Sequence, residues 1–282
     1  TFDWGCRFEK KEEHVNSSLR RLTYTGRNRF RLVGSRFQLS LISHLFRIIL
    51  KAFPPNKTNQ KKKMKTRTKR QIDRLIIDRE KPLFISDADE VVLYFAKHFK
   101  SFLESKGWAL NLSGYRLDKA ITHRTDGYHP DKSVAQSLVE KFIRQETINQ
   151  KLTKNSKETL ERISKIASVV ILTNVPEYAH ESREKNFKKL GLDYPIISNS
   201  GPKGFAINYL TKDITKPCFF VDDSPFQIES ASNENDKLIS IHFSACEIVK
   251  KVLPPSSFAS YTPERWSEIE LIVKKEVHNA TK

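Results

Sequence analysis

Two aspartates one residue apart, Asp87 and Asp89, follow the apolar run "PLFIS" at residues 82–86. A second acidic pair, Asp222 and Asp223, follows another such run, "CFFV", at 218–221. Crowding carboxylates at the ends of buried segments costs free energy unless a cation or a positive cluster offsets the charge. Four acids brought together need a divalent ion, and hard carboxylate oxygens suit Mg²⁺. Lys203, in "SNSGPKGF", adds a positive charge near a helix start. Thr173 ends the apolar run "SVVIL" with a hydroxyl, and open backbone N–H groups follow it. Acid pairs, metal, lysine, threonine and free amides are the parts of a phosphoryl-transfer site. An isolated Asp-x-Asp is more often a turn or a helix cap. The strand ahead of it and the second acidic pair reverse that preference for Asp87, Asp89 and Asp222. Asp223 has a competing use as the cap of a helix beginning at Pro225.

Those residues need elements to carry them. The runs at 82–86, 168–172, 194–198, 218–221 and 238–243 are apolar throughout and read as buried strands. Amphipathic stretches follow them: "VVLYFAKHFKSFLESKG" stops at Gly107, "YAHESREKNFKKLG" at Gly191, and others start near Gly204 and Pro225. Strands buried on both faces, alternating with helices, predict an α/β fold with a Rossmann-like parallel sheet and helices on both sides. In such sheets ligands bind beyond the carboxyl ends of the strands, where helix N-termini point. Three strands here end in residues of chemical interest. Residues 107–164 show helical periodicity, clearest at 133–145 and 156–167, and read as a helical cap inserted after the first strand-helix unit. Residues 80–106 and 165–282 then form the core. The loop "THRTDGYH" (122–129) in the insertion reads equally as substrate-contacting or as ordinary surface.

"FISDADEVV" resembles the first motif of the haloacid dehalogenase-like (HAD) superfamily, an apolar strand followed by Asp-x-Asp. "VVILTN" is similar to its second motif, Lys203 to its third and "FFVDDS" to its acidic fourth, all in the family's order between residues 83 and about 232. Lys212 and Lys216 are alternatives for the third position. The resemblance implies that Asp87 is the nucleophile forming an aspartyl-phosphate and Asp89 the general acid and base. It implies Mg²⁺ held by the Asp87 carboxylate, the Asp89 backbone carbonyl and Asp222/Asp223. Thr173, Asn174 and Lys203 become the phosphate-binding set, although Asn174 alone reads as a loop-shaping residue. An acid at position 89 favours phosphate esters over carbon–halogen bonds, and the cap type implies a small phosphorylated substrate. Two other readings stay open: a phosphotransferase or mutase on the same scaffold, and a non-catalytic binding protein.

The chain has 282 residues and a formal charge of +17, with 38% hydrophobic and 29% charged residues. No run reaches the 18 uncharged apolar residues of a membrane span. Residues 1–63 hold 15 Lys and Arg against four Asp and Glu, so about +11 of the charge sits there and about +6 in the remainder. Residues 1–70 therefore read as a basic, poorly ordered extension, and any nucleic-acid or membrane-surface contact belongs to it. "FQLSLISHLFRIILKAF" (37–53) has the pattern of a basic amphipathic helix, and 56–70 that of a charged linker. The only methionine, Met64, stands directly before the part that looks folded, which makes it the expected start of the native protein. Three widely spaced cysteines, Cys6, Cys218 and Cys246, point to a reducing compartment and a cytoplasmic protein. Oligomeric state is not legible.

Overall fold

The computed structural model describes residues 64–112, 117–251 and 254–282. The basic segment 1–63, with its candidate amphipathic helix, lies outside them. Five strands form one parallel sheet: β1 (Leu83–Ser86), β4 (Ser168–Thr173), β5 (Ile196–Ser198), β6 (Cys218–Asp222) and β7 (Ile239–His242). Their order is β5-β4-β1-β6-β7, which puts β1 in the centre. Leu83 pairs with Ser168 on one side and Cys218 on the other, and the register runs in step to Ser86. The two acid-bearing strands, β1 and β6, are therefore neighbours, and β4 with Thr173 flanks β1 on its other side.

The period of two in each strand divides its side chains between two cores. Phe84, Val169, Ile171, Phe219, Val221 and Ile241 face one layer. That layer is built by α5 (Ser156–Ile163), α6 (His180–Lys189) and α10 (Trp266–Asn279). Leu83, Ile85, Val170, Leu172, Cys218 and Phe220 face the other, built by α1 (Thr66–Asp73), α7 (Gly204–Thr211) and α8 (Pro225–Glu234). Burial on both faces is why these strands read as unbroken apolar runs. Cys218 and Cys246 are free thiols inside the molecule. No described helix is long and apolar enough to cross a membrane.

The structure departs from the sequence expectation in four places. Residues 66–70 are not linker: α1 is helical from Thr66 and docks on the sheet edge, with Thr68 Oγ1 donating to Ser198 O and Ser198 N to Gln71 Oε1. The insertion is not wholly helical, because β2 (Trp108–Leu110) and β3 (Ile121–His123) pair antiparallel around α3 (Leu117–Ala120). Its boundaries also shift. Helix α2 (Ala96–Ser105) packs Phe99, Phe102 and Leu103 against Leu138, Phe142 and Ile143 of α4 (Lys132–Glu146), a core separate from the sheet. By contrast, α5 packs on the sheet and on α10, where Arg162 pairs with Glu270 at 2.8 Å. The insertion thus takes in α2 and releases α5. Finally, α10 lies beyond residue 243, where no element was expected. It buries Trp266, whose Nε1 donates to Thr153 Oγ1 at 3.1 Å. The short helix α9 (Glu247–Lys250) precedes it.

Candidate active site

Asp87 is the first residue past β1, and its N–H bonds to Val221 O, which locks the turn to β6. Asp222 ends β6 and Asp223 follows it. Carboxylate oxygens of Asp87, Asp222 and Asp223 all lie within 4.8 Å of one another, and all three residues are buried. Lys203, also buried, reaches into this group. Its Nζ is 2.6 Å from Asp222 Oδ2 and 2.8 Å from Asp87 Oδ1. Lys203 thereby joins a carboxylate at the end of β1 to one at the end of β6. Lys212 and Lys216, the alternatives to Lys203, are exposed on the surface and make no ion pair with these acids.

Local structure explains how Lys203 arrives there. It precedes α7, its N–H donates to Gln227 Oε1, and the next N–H, of Gly204, donates to Ser230 Oγ. A Cβ at position 204 would sit 2.1 Å from Ser230 O, so only glycine lets α7 approach α8 this closely. Asp222 is fully engaged: Oδ2 takes Lys203 and Oδ1 accepts from Ser224 N at 2.8 Å. Asp223 is not, since its Oδ2 is buried without a partner. The N-cap residue of α8, Ser224, makes no side-chain cap bond. Thr173 Oγ1, at the end of β4, is likewise buried and unpartnered. Asn174 is occupied: Nδ2 donates to Gly201 O and Oδ1 accepts from Asn199 Nδ2. Its side chain shapes the loop that carries Lys203.

The electrostatics follow from burying three acids against one lysine. Burial pushes Asp87 up to about 7; Lys203 pulls the other way, and Asp222 and Asp89 push further up. Burial, then Asp222 and Asp87, raise Asp223 well above the usual carboxylate range. For Lys203 burial alone would lower the pKa, but Asp222 and Asp87 outweigh it and the ammonium is held. The cluster carries more negative charge than its own lysine neutralises. Asp223 Oδ2, buried without a partner, therefore points to a cation as the missing partner. An oxygen-only donor set suits Mg²⁺.

Asp89 sits apart from this cluster. Its Oδ1 accepts from Arg183 Nη2 at 2.7 Å and from Gln150 Nε2 at 3.0 Å, and the ion pair is buried. Arg183 lies on α6, and Asn186 one turn later donates to Ile148 O and Gln150 O. Asp89 is thus tied to the segment through which the insertion returns to the sheet. Sequence reading did not single out Arg183: within "HESREKNFKK" a buried arginine looks like any member of a solvated charged face. It also passed over Glu90, which is buried in left-handed backbone at φ 62°. Glu90 Oε1 accepts the N–H groups of Phe95 and Ala96 at the start of α2, an anion at a helix N-terminus. Burial pushes its pKa up to about 7. The loop at 122–129 mostly satisfies itself, with Asp126 Oδ1 taking His123 Nδ1 and Tyr128 N.

No protein-family model matches the chain, and no curated protein matches it. Several solved structures resemble it. A HAD family hydrolase from Deinococcus radiodurans with bound phosphate and sodium shares 14% identity over 71% of this chain and 97% of its own, at a TM-score of 0.47. YfnB from Bacillus subtilis, described as a HAD-hydrolase and bound to magnesium, shares 14% over 69% of this chain and 99% of its own, also at 0.47. A dehalogenase shares 13% over 70% of this chain and 98% of its own, at 0.45. Similarity this low carries no weight for function.

Proposed function

We propose that this chain is a HAD-type phosphatase that hydrolyses a small phosphate ester at Asp87 with the help of Mg²⁺. One observation carries the reading: a buried lysine bridges acids from two adjacent strand ends, and at the ends of these neighbouring strands the Asp223 Oδ2 and Thr173 Oγ1 oxygens are buried without a partner. A packed core does not leave such groups orphaned without a ligand to receive them.

In this reading an Asp87 carboxylate oxygen attacks phosphorus in line, forming the acyl-phosphate bond as the bond to the leaving oxygen breaks. Asp89 gives the leaving oxygen a proton. It then takes one from the water that attacks the acyl-phosphate, which releases inorganic phosphate and restores Asp87. Lys203 and Thr173 bind the phosphoryl oxygens. Asn174 serves by holding the Gly201 turn rather than by contact. Asp87, Asp222 and Asp223 would hold the cation with carboxylate oxygens, joined by the Asp89 backbone carbonyl. Asp222 also fixes Lys203 through Oδ2 and the turn after β6 through Oδ1. When bound, the ion supplies positive charge where negative charge gathers in the transition state. Arg183 and Gln150 hold Asp89 until it turns to the substrate.

The test is to quench a reaction in acid within milliseconds and map phosphorylated peptides by mass spectrometry. Phosphate on Asp87, absent from Asp87→Asn, is the expected result. Phosphate on another residue, or turnover without any phosphoenzyme, would sink the proposal.

A further inference from the structure

Beyond the carboxyl ends of β4 and β5 lies a cavity of about 340 Å³, a volume that suits a small organic molecule. It opens on the same side of the sheet as Asp87, and β4 is the strand next to β1. Its wall adjoins the loops of the proposed site. Asn174, which lines it, follows Thr173, and Asn199, which also lines it, donates to Asn174 Oδ1 and to Gly201 O at the turn leading into Lys203. Whatever fills the cavity therefore touches the loops that place Thr173 and Lys203.

The charges at its wall are mostly positive. Lys65 and Arg67, at the start of α1, line it together with Tyr178 and a single carboxylate, Glu177. Lys65 has no ion-pair partner among the described residues. Arg67 pairs with Glu177 at 3.2 Å, but the Glu177 side chain is 80% exposed. A pair that open to water contributes little, so Glu177 yields readily to an incoming anion. Two cations, an aromatic face and amide groups around a small volume favour an anionic group on a short organic body.

We propose that this cavity takes a second anionic group of the substrate, so that the ester cleaved at Asp87 carries a carboxylate or another phosphate at its far end. The inference rests on the phosphatase reading above. Neighbouring strands lie about 4.8 Å apart, so a group beyond β4 and β5 is about 5–10 Å from one at the end of β1. A backbone of about three to six carbons spans that distance. The segment of chain ahead of the sheet thus has a direct role: α1 brings the cations.

The experiment compares three esters on the full chain with Mg²⁺: butyl phosphate, 4-phosphooxybutyrate and 1,4-butanediol bisphosphate. The two bis-anionic esters should exceed butyl phosphate in kcat/KM by about tenfold or more, the worth of one charged hydrogen bond. Arg67→Gln and Lys65→Gln should each shrink that ratio. Glu177→Gln should raise it, a gain that misfolding cannot produce. Equal kcat/KM for all three esters, or a ratio indifferent to these substitutions, would overturn the inference and leave the phosphatase reading intact. Stimulation of butyl phosphate turnover by free butyrate would also overturn it, because the cavity would then serve a separate effector. If Asp87→Asn fails to abolish turnover of any ester, the phosphatase reading falls and takes the inference with it.

Discussion

Replacing Lys203 by methionine keeps most of the length of the side chain and removes, among the described residues, the cation that bridges Asp87 and Asp222 in a buried cluster of three carboxylates. Breaking a buried ion pair from one side costs about 3–5 kcal/mol, because the remaining charge stays uncompensated. Here two carboxylates lose a partner at once, so the loss at pH 8 should reach the upper part of that range. The pH dependence has a definite sign. Burial, opposed by Lys203, raises folded Asp87 from its ordinary 3.8 to about 7. A group raised on folding adds stability that is fully present below its unfolded pKa and lost as pH rises through the folded one. Between pH 5 and pH 8 the folded protein therefore gives up a proton it prefers to keep. Without Lys203 the preference strengthens. The penalty of the substitution should shrink to about 1–2 kcal/mol at pH 5, where Asp87 and Asp223 neutralise themselves. Urea unfolding of the full chain and of Lys203→Met at both pH values measures this, with and without Mg²⁺. Added Mg²⁺ should recover part of the loss at pH 8, since it supplies charge only to the folded state. Equal losses at the two pH values, or a loss under about 1 kcal/mol at pH 8, would refute the reasoning.

Three further substitutions probe the supports of the site. Arg183→Met leaves Asp89 buried without its cation, while Asp89→Asn removes the need for one. A double-mutant cycle read by urea unfolding should give a coupling of about 2 kcal/mol or more, and additive energies would contradict the pairing. Gly204→Ala improves helix propensity by about 1 kcal/mol in an open helix. Here its Cβ meets Ser230 O, so the expected outcome is a net loss of about 1–3 kcal/mol and a lower kcat as Lys203 shifts. A stabilised variant would show that α7 and α8 have room to spare.

Much of this architecture is visible in the sequence because the sheet is covered on both faces. Strands such as "SVVIL" and "CFFV" are then apolar at every position, and the polar residues that end them stand out. Asp87, Thr173, Asp222 and Asp223 stand out by that contrast, and the sheet order puts their strands side by side at its centre. The misses share another cause. Helix α1 is charged and short, and only its docking to Ser198 and the sheet edge makes it a helix. The strands "WAL" and "ITH" have three residues each, too few for a period to show. Arg183 pairs inside the protein with Asp89, 94 positions away, and a one-dimensional pattern holds no trace of that contact. The insertion boundary fails for a related reason. Helices α2 and α5 are both amphipathic, and which apolar layer each faces is decided only by the tertiary fold.

Release of inorganic phosphate from small phosphate esters tests the central claim most directly, using the full chain with Mg²⁺, with EDTA and as Asp87→Asn. The account predicts turnover that stops in EDTA and falls by at least about a thousandfold on losing the nucleophile. Turnover that survives Asp87→Asn, or a folded protein that binds Mg²⁺ and hydrolyses none of the esters, would contradict it.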